Sequence, residues 1–182
     1  ARAFKEGLTP SELLSREYIR ARFNKTGSGY PAITLSIPAS APYNKAGGQA
    51  LLNGLKGSRD FHDGQWLGFN KNFSGLVDLG TQVSVKQIRW SFLRNVGSWI
   101  LIPEHIEILG SNNNRDFVSL GTLQNKTTPD DTDSKTIEFI VPVNEVYRYY
   151  RLKATSMPAL PEWHPGAGNH PWIFTDEIIF EY

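Results

Sequence analysis

Eight short runs of alternating apolar and polar residues, separated by glycine, proline and asparagine, restrict this chain to a small set of folds. They are Ile33 to Ile37, Leu76 to Leu79, Val83 to Phe92, Ile106 to Leu109, Phe117 to Leu123, Thr136 to Val141, Val146 to Ala154 and Trp172 to Tyr182. A period of two is the mark of strands with one face buried, and a series of such runs punctuated by turn residues reads as an all-β sandwich or barrel. Five Trp, seven Tyr and ten Phe among many Gly, Pro, Asn, Ser and Thr support the same reading, because aromatic residues suit a pleated, half-buried surface. A chain of 182 residues can bury roughly 68–70% of its unfolded surface, so no covalent staples are required. Ser111-Asn112-Asn113-Asn114 reads as a hairpin turn, since Asn accepts the left-handed conformation; Gly97-Ser98 and Thr127-Thr128-Pro129-Asp130-Asp131 read as loops.

The N-terminal part follows a different pattern. Ser11 to Phe23 fits a helix capped by Ser11, with Leu13, Leu14, Glu17, Tyr18 and Ala21 on one face, and fits a strand almost equally well. Pro31, Pro38 and Pro42, with Gly27, Gly29, Gly47 and Gly48 around them, then interrupt regular structure, and a boundary near residues 24 to 42 follows. The start, Ala1-Arg2-Ala3-Phe4, carries neither an initiator Met nor a signal-like segment, as expected of a piece of something longer whose targeting information lies elsewhere.

Charge and motif content exclude several function classes. A formal charge of +1 creates no broad field for nucleic acid or anionic lipid, and Arg16, Arg20, Arg22 and Lys25, with Glu17 among them, read as a solvated face or a contact to a neighbouring domain. No run approaches the roughly 18 apolar residues that a membrane helix needs. Without cysteine there are no disulfides, thiolate nucleophiles or Cys-based zinc sites. Nucleophile-elbow, phosphate-loop and His-Glu-x-x-His motifs are also missing.

Two loops carry the residues of interest. Glu162 to Trp172 gathers two Trp, two His and an Asn before the last strand. Aromatic faces beside hydrogen-bonding groups suit a pyranose, which has an apolar CH face and a rim of hydroxyls, and they suit equally a loop pinned by its Trp residues whose His groups satisfy backbone. The candidate sugar contacts are Trp163, His164, Asn169 and His170, with Arg94 and Trp99 completing the set. A metal held by His164 and His170 is disfavoured by the lack of cysteine and of a helical His pair. Upstream, the polar stretch Leu51 to Gly80 places Asn53 and Ser58 where they could meet Glu177 if the first and last strands are neighbours. Those oxygens, with loop carbonyls, are of the kind Ca²⁺ takes, and the alternative is a loop closed by its own Asx and Ser turns. Asp176-Glu177 resembles a glycosidase acid pair in composition only. Strict alternation would send the two to opposite faces, with Trp172, Phe174, Ile178 and Phe180 beside Asp176 and Thr175 and Glu181 beside Glu177.

Asn53-Gly54, the run Gly57 to Phe69, Val77-Asp78-Leu79-Gly80, Gly97-Ser98-Trp99-Ile100 and the closing Trp163 to Ile178 resemble the carboxy-terminal modules of bacterial family 20 glycoside hydrolases, the β-N-acetylhexosaminidases or chitobiases, with Bacteroidetes members the nearest in pattern. The module resembles a discoidin, or coagulation factor 5/8 type C, domain of the galactose-binding-like type, akin to family 32 carbohydrate-binding modules. This resemblance implies a jelly roll of about eight strands over residues 39–182, preceded in 1–38 by the tail of a small β linking domain and a linker. It implies Ca²⁺ near the Asn53 loop and Glu177, where the usual Asp-Gly has become Asn53-Gly54, and no catalytic residue in this fragment. The implied role is a non-catalytic accessory module binding an amino-sugar or galactose-type glycan weakly, or else a domain that only braces the parent's catalytic domain. The implied location of the parent is periplasmic, outer-membrane-associated or secreted, with no nucleic-acid partner and no membrane insertion.

Overall fold

The computed structural model describes residues 2–11, 31–126 and 134–182. Residues 12–23, the basic cluster and the loop at 127–131 therefore lie outside the described residues.

The described chain is all-β: seven strands form one continuous antiparallel hydrogen-bonded sheet. They are β1 (Ala32–Leu35), β2 (Leu67–Phe69), β3 (Phe73–Arg94), β4 (His105–Ser111), β5 (Val118–Gln124), β6 (Lys135–Thr155) and β7 (Ile173–Glu181), in the order β2-β7-β3-β6-β4-β5 with β1 on β3. The eight runs of the sequence thus become six strands, and a seventh, β2, had no alternation to show. Leu76 to Leu79 and Val83 to Phe92 are two halves of β3; Thr136 to Val141 and Val146 to Ala154 are two halves of β6. Each long strand bends where the β3–β6 register shifts, between Asp78 and Val83 and between Val85 and Gln87. Gly80 (φ 80°) and Asn144 (φ 52°) take left-handed conformations near these bends, as strands do when they turn a corner at a bulge.

The bends divide the sheet into two layers. The first half of β3 and the second half of β6 pair with β1 and β4, and β4 pairs with β5; the second half of β3 pairs with the first half of β6 and with β7, which carries β2. Val77, Leu152, Ile106 and Ile108 from the first layer meet Trp90, Phe139, Ile178 and Phe180 from the second in one core. Tyr150 and Phe180 pack edge to face across it at 5.1 Å. β1 falls within the stretch read from sequence as tail and linker, and it pairs with β3 in register from Ala32–Asp78 to Leu35–Gly75. Its other edge is closed by Gln49, whose side chain accepts from the Ile33 N–H (3.0 Å) and donates to the Pro31 carbonyl (2.8 Å). The Asn turn joins β4 to β5, with Asn114 at φ 58°. Among the described residues, no helix is long and apolar enough to cross a membrane.

Candidate functional site

The outer face of the second layer is covered by loops rather than by another sheet. Trp66, Leu93, Ile100 and Phe174 form a second apolar cluster there, with Tyr43, Phe61 and Trp172 against it. Gly68 makes this possible, because a Cβ at that position would lie 2.8 Å from Tyr43 Cβ and from the Phe174 ring.

A tight hairpin follows β3: Asn95 and Ile100 exchange backbone bonds of 2.9 and 3.1 Å around a 3-10 turn, Val96–Ser98. Trp99 closes the turn at φ 63°. Its carbonyl accepts from Trp172 N–H at 2.8 Å, which fastens the hairpin to the start of β7. The loop 160–169 bonds mostly to itself, with Leu160 N–H to Asn169 carbonyl at 2.7 Å and Ala167 N–H to His164 carbonyl at 2.8 Å. His164, only 4% exposed, holds loop and hairpin together: its Nε2–H donates to the Val96 carbonyl (2.9 Å) and its Nδ1 accepts from Gly166 N–H (2.9 Å). A carbonyl can only accept and an amide N–H can only donate, so these partners assign the neutral Nε2–H tautomer.

Trp99 and Trp163 flank this histidine, with ring centroids 6.3 and 5.8 Å from it. Trp99 lies over Gly166, where a Cβ would come within 2.7 Å of the indole. Their exposures of 38% and 44% leave indole surface open to solvent. The structure therefore gathers Trp99, Trp163 and His164 into one platform, with the exposed Asn169 and His170 on the same loop. Asn169 donates to the Gly166 carbonyl at 2.9 Å and His170 Nδ1 to the Pro171 carbonyl at 2.9 Å. Arg94 ends β3 and is 3% exposed.

The acid pair sits where β7 runs past the end of β2. Strict alternation fails here: Phe174 belongs to the outer cluster, while Ile173, Ile178 and Phe180 belong to the core. The β3–β7 register shifts between Trp90 and Phe92, and this irregularity breaks the period of two. Asp176 and Glu177, both fully buried, consequently reach the same loop. Asp176 accepts from Gly57 N–H at 2.7 Å and from the Ser91 hydroxyl, and Glu177 Oε2 accepts from Gly54 N–H at 3.1 Å. Glu177 Oε1 is buried with no hydrogen-bond partner. Burial pushes the Asp176 carboxyl up to about 6, against the Ser91 and Gly57 hydrogen bonds. Burial, offset in part by the Gly54 N–H and reinforced by the neighbouring Asp176 charge, pushes Glu177 up to about 8. Asn53 Oδ1 accepts from Leu55 N–H at 2.7 Å and Ser58 Oγ from Asp60 N–H at 3.2 Å, so both side chains close local turns. Each of these oxygens keeps a second lone pair. No group of three or more His, Asp and Glu converges among the described residues.

Two concave features had no counterpart in the sequence reading, and one of them, of about 450 Å³, lies beside β1 against Pro38, Asn44 and Gly48. Tyr43, Lys45, Phe61, His62 and Trp66 surround a cleft of about 190 Å³. Tyr43 is brought there by its seat over Gly68, a contact that no local pattern announces.

No protein-family model matches this chain, and no curated protein matches it. Solved structures share its fold. One is a family 32 carbohydrate-binding module of a family 31 glycoside hydrolase bound to N-acetylgalactosamine, with 12% identity, TM-score 0.56, and coverage of 85% of this chain and 99% of the other. A second is the C-terminal domain of a chitobiase from Bacteroides fragilis, with 14% identity, TM-score 0.51, and coverage of 82% and 92%. A third is a family 32 module from a family 31 glycoside hydrolase of Clostridium perfringens, with 12% identity, TM-score 0.50, and coverage of 84% and 94%.

Proposed function

We propose that this chain is a carbohydrate-binding accessory module that holds a parent chitobiase, a β-N-acetylhexosaminidase exported from the cell, on its glycan. The observation that carries the proposal is the pair of solvent-facing indoles, Trp99 on the hairpin and Trp163 on the 160–169 loop, which His164 ties together. The likeness of the fold to carbohydrate-binding modules supports it.

In this reading the indole faces stack on the CH face of an amino-sugar or galactose-type pyranose, and Asn169 and His170 orient its hydroxyls. Two faces of about 100 Å² each contribute about 5 kcal/mol, which the cost of association largely offsets. Binding is therefore weak for one module, and it gains effect by tethering an enzyme to a polymer it also cleaves. His164 acts as a positioning residue, because both of its nitrogens are used within the protein.

Calcium belongs to the same proposal. The idle Oε1 of Glu177, buried beside Asp176, fits a hard cation. Glu177 would hold the ion with the remaining lone pairs of Asn53 and Ser58 and with loop carbonyls. Bound there, Ca²⁺ supplies charge neutralisation that fastens the 53–58 loop to β7.

Calorimetric titration with chito-oligosaccharides, N-acetylgalactosamine and galactose tests the binding. Heat at millimolar ligand that disappears in Trp163→Ala supports the reading, and silence with every sugar removes it. A second reading, in which the module only braces the catalytic domain, is favoured by the self-bonded 160–169 loop. It predicts that deleting the module lowers the parent's melting temperature, and an unchanged parent counts against it.

A further inference from the structure

We propose that the edge of β1 from Ile33 to Leu35 docks an extended polypeptide segment of a partner protein, which adds to the sheet as a strand and lays small, uncharged side chains in the cleft between β1 and the 38–48 loop.

Among the described residues the sheet has three edges, and two of them are closed to a partner. β2 accepts Ser40 N–H on the Gly68 carbonyl (2.8 Å) and gives Gly68 N–H to the Tyr43 carbonyl (3.0 Å). β5 carries the register shift opposite Ile108 and Leu109, and a bulge of this kind twists an edge away from pairing. On β1, Ser36 N–H bonds the Ser74 carbonyl at 2.8 Å, and the register carries that parity back through Thr34 and Ala32, which face β3. Ile33 and Leu35 therefore turn their backbone groups outward. Gln49 occupies the first part of this edge: its carboxamide bonds the Ile33 N–H and the Pro31 carbonyl as a peptide group of a neighbouring strand would. Among the described residues, the Ile33 carbonyl and the Leu35 N–H and carbonyl take no hydrogen bond. The edge is thus already paired by one amide, and the next register position along it is open.

That position borders the cleft of about 450 Å³, equal to about fifteen water molecules at roughly 30 Å³ each, which holds a segment of chain rather than an ion. Ile33, Leu35, Pro38 and the fully buried Leu67 line it, and no charged side chain does. Gly48 keeps it open, since a Cβ there would already lie 3.4 Å from Leu35 and 3.6 Å from Ile33. One donor and two acceptors spaced along a strand, beside an apolar floor, match a main chain that brings N–H, C=O and alternating side chains together. An acyl chain leaves those backbone groups unused, and sugar hydroxyls lack the alternation.

The test is an amide NMR titration of the whole chain with acetyl-Val-Thr-Val-Thr-amide, against the same peptide with N-methylated backbone amides and against chitotriose. The unmethylated peptide is expected to bind at about millimolar concentration, to move the resonances of Ile33 to Leu35 and Asn44 to Gly48, and to do so independently of salt. N-methylation should weaken this about tenfold or more. Gly48→Val, which fills the cleft, should abolish it. Gln49→Ala should tighten it about tenfold, because the Ile33 N–H and Pro31 carbonyl then join the open edge; a misfolded variant could not produce that gain. Trp163→Ala should leave it unchanged, so the result is independent of the sugar platform. A peptide that leaves these resonances still, that binds equally well when N-methylated, or that binds Gln49→Ala no better than the unmodified chain overturns the proposal, as does chitotriose moving the same resonances more strongly.

Discussion

Glu177 Oε2 accepts the backbone N–H of Gly54 at 3.1 Å across 123 residues of sequence, and its other carboxylate oxygen is buried without a partner. Three residues on, Gly57 does the same for Asp176 at 2.7 Å. The 53–57 loop is thereby tied to the last strand by two acids taken out of water. Nothing in this arrangement resembles two carboxylates across a cleft, since both point at backbone N–H groups of one loop.

That burial makes stability depend on pH in a defined direction. The folded chain keeps protons on Glu177 and Asp176 that the unfolded chain releases, so this contribution is complete below the ordinary carboxylate range. It is lost as pH rises through about 6 for Asp176 and about 8 for Glu177. In chelator the melting temperature should fall between about pH 5 and pH 8, and added Ca²⁺ should restore it at the upper end. Glu177→Gln should flatten the pH dependence and abolish the calcium response. A melting temperature that rises with pH over this range, or ignores calcium in the unmodified chain, contradicts this account of the site.

His164→Ala tests the link between hairpin and loop. It leaves the Gly166 N–H without a partner, removes one bond from the Val96 carbonyl, and opens space beneath Trp99. A loss of about 1–3 kcal/mol is expected in chemical denaturation, with increased exposure of Trp99 in its fluorescence. A silent substitution would mean that the platform is held by the backbone alone.

Gly68→Ala should cost about 1–3 kcal/mol, because the new methyl meets Tyr43 and Phe174 at 2.8 Å. Adding Phe174→Leu, which removes the ring carbons that meet the methyl, should recover part of the loss, which a double-mutant cycle measures. Additive losses would show that the Phe174 ring does not lie over this glycine.

Much of the fold was legible because strands with one buried face announce themselves by alternation. Ile106 and Ile108 point into the core while Glu107 pairs with Lys153 outside at 2.8 Å. The number of strands was less legible, since a bend such as that at Gly80 looks in sequence like the end of an element and the start of another. β2 escaped because Leu67-Gly68-Phe69 is buried on both faces and too short to show a period. The placement of Phe174 was misread because a register shift, invisible in sequence, moves it to the outer face. At the candidate site, Trp163 and Trp99 were recognisable by residue type. The engagement of His164 Nε2 depends on Val96, 68 positions away, and only the fold brings the two together.

The central claim is that Trp99 and Trp163 form a sugar-binding face. The most direct measurement follows the indole N–H resonances of the five tryptophans during titration with N-acetylgalactosamine and with chito-oligosaccharides. The account predicts that Trp99 and Trp163 shift together and saturate at millimolar sugar, while Trp90, buried with its indole N–H on Thr175 at 2.9 Å, stays fixed. Five unmoved resonances, or shifts confined to tryptophans other than Trp99 and Trp163, would contradict it.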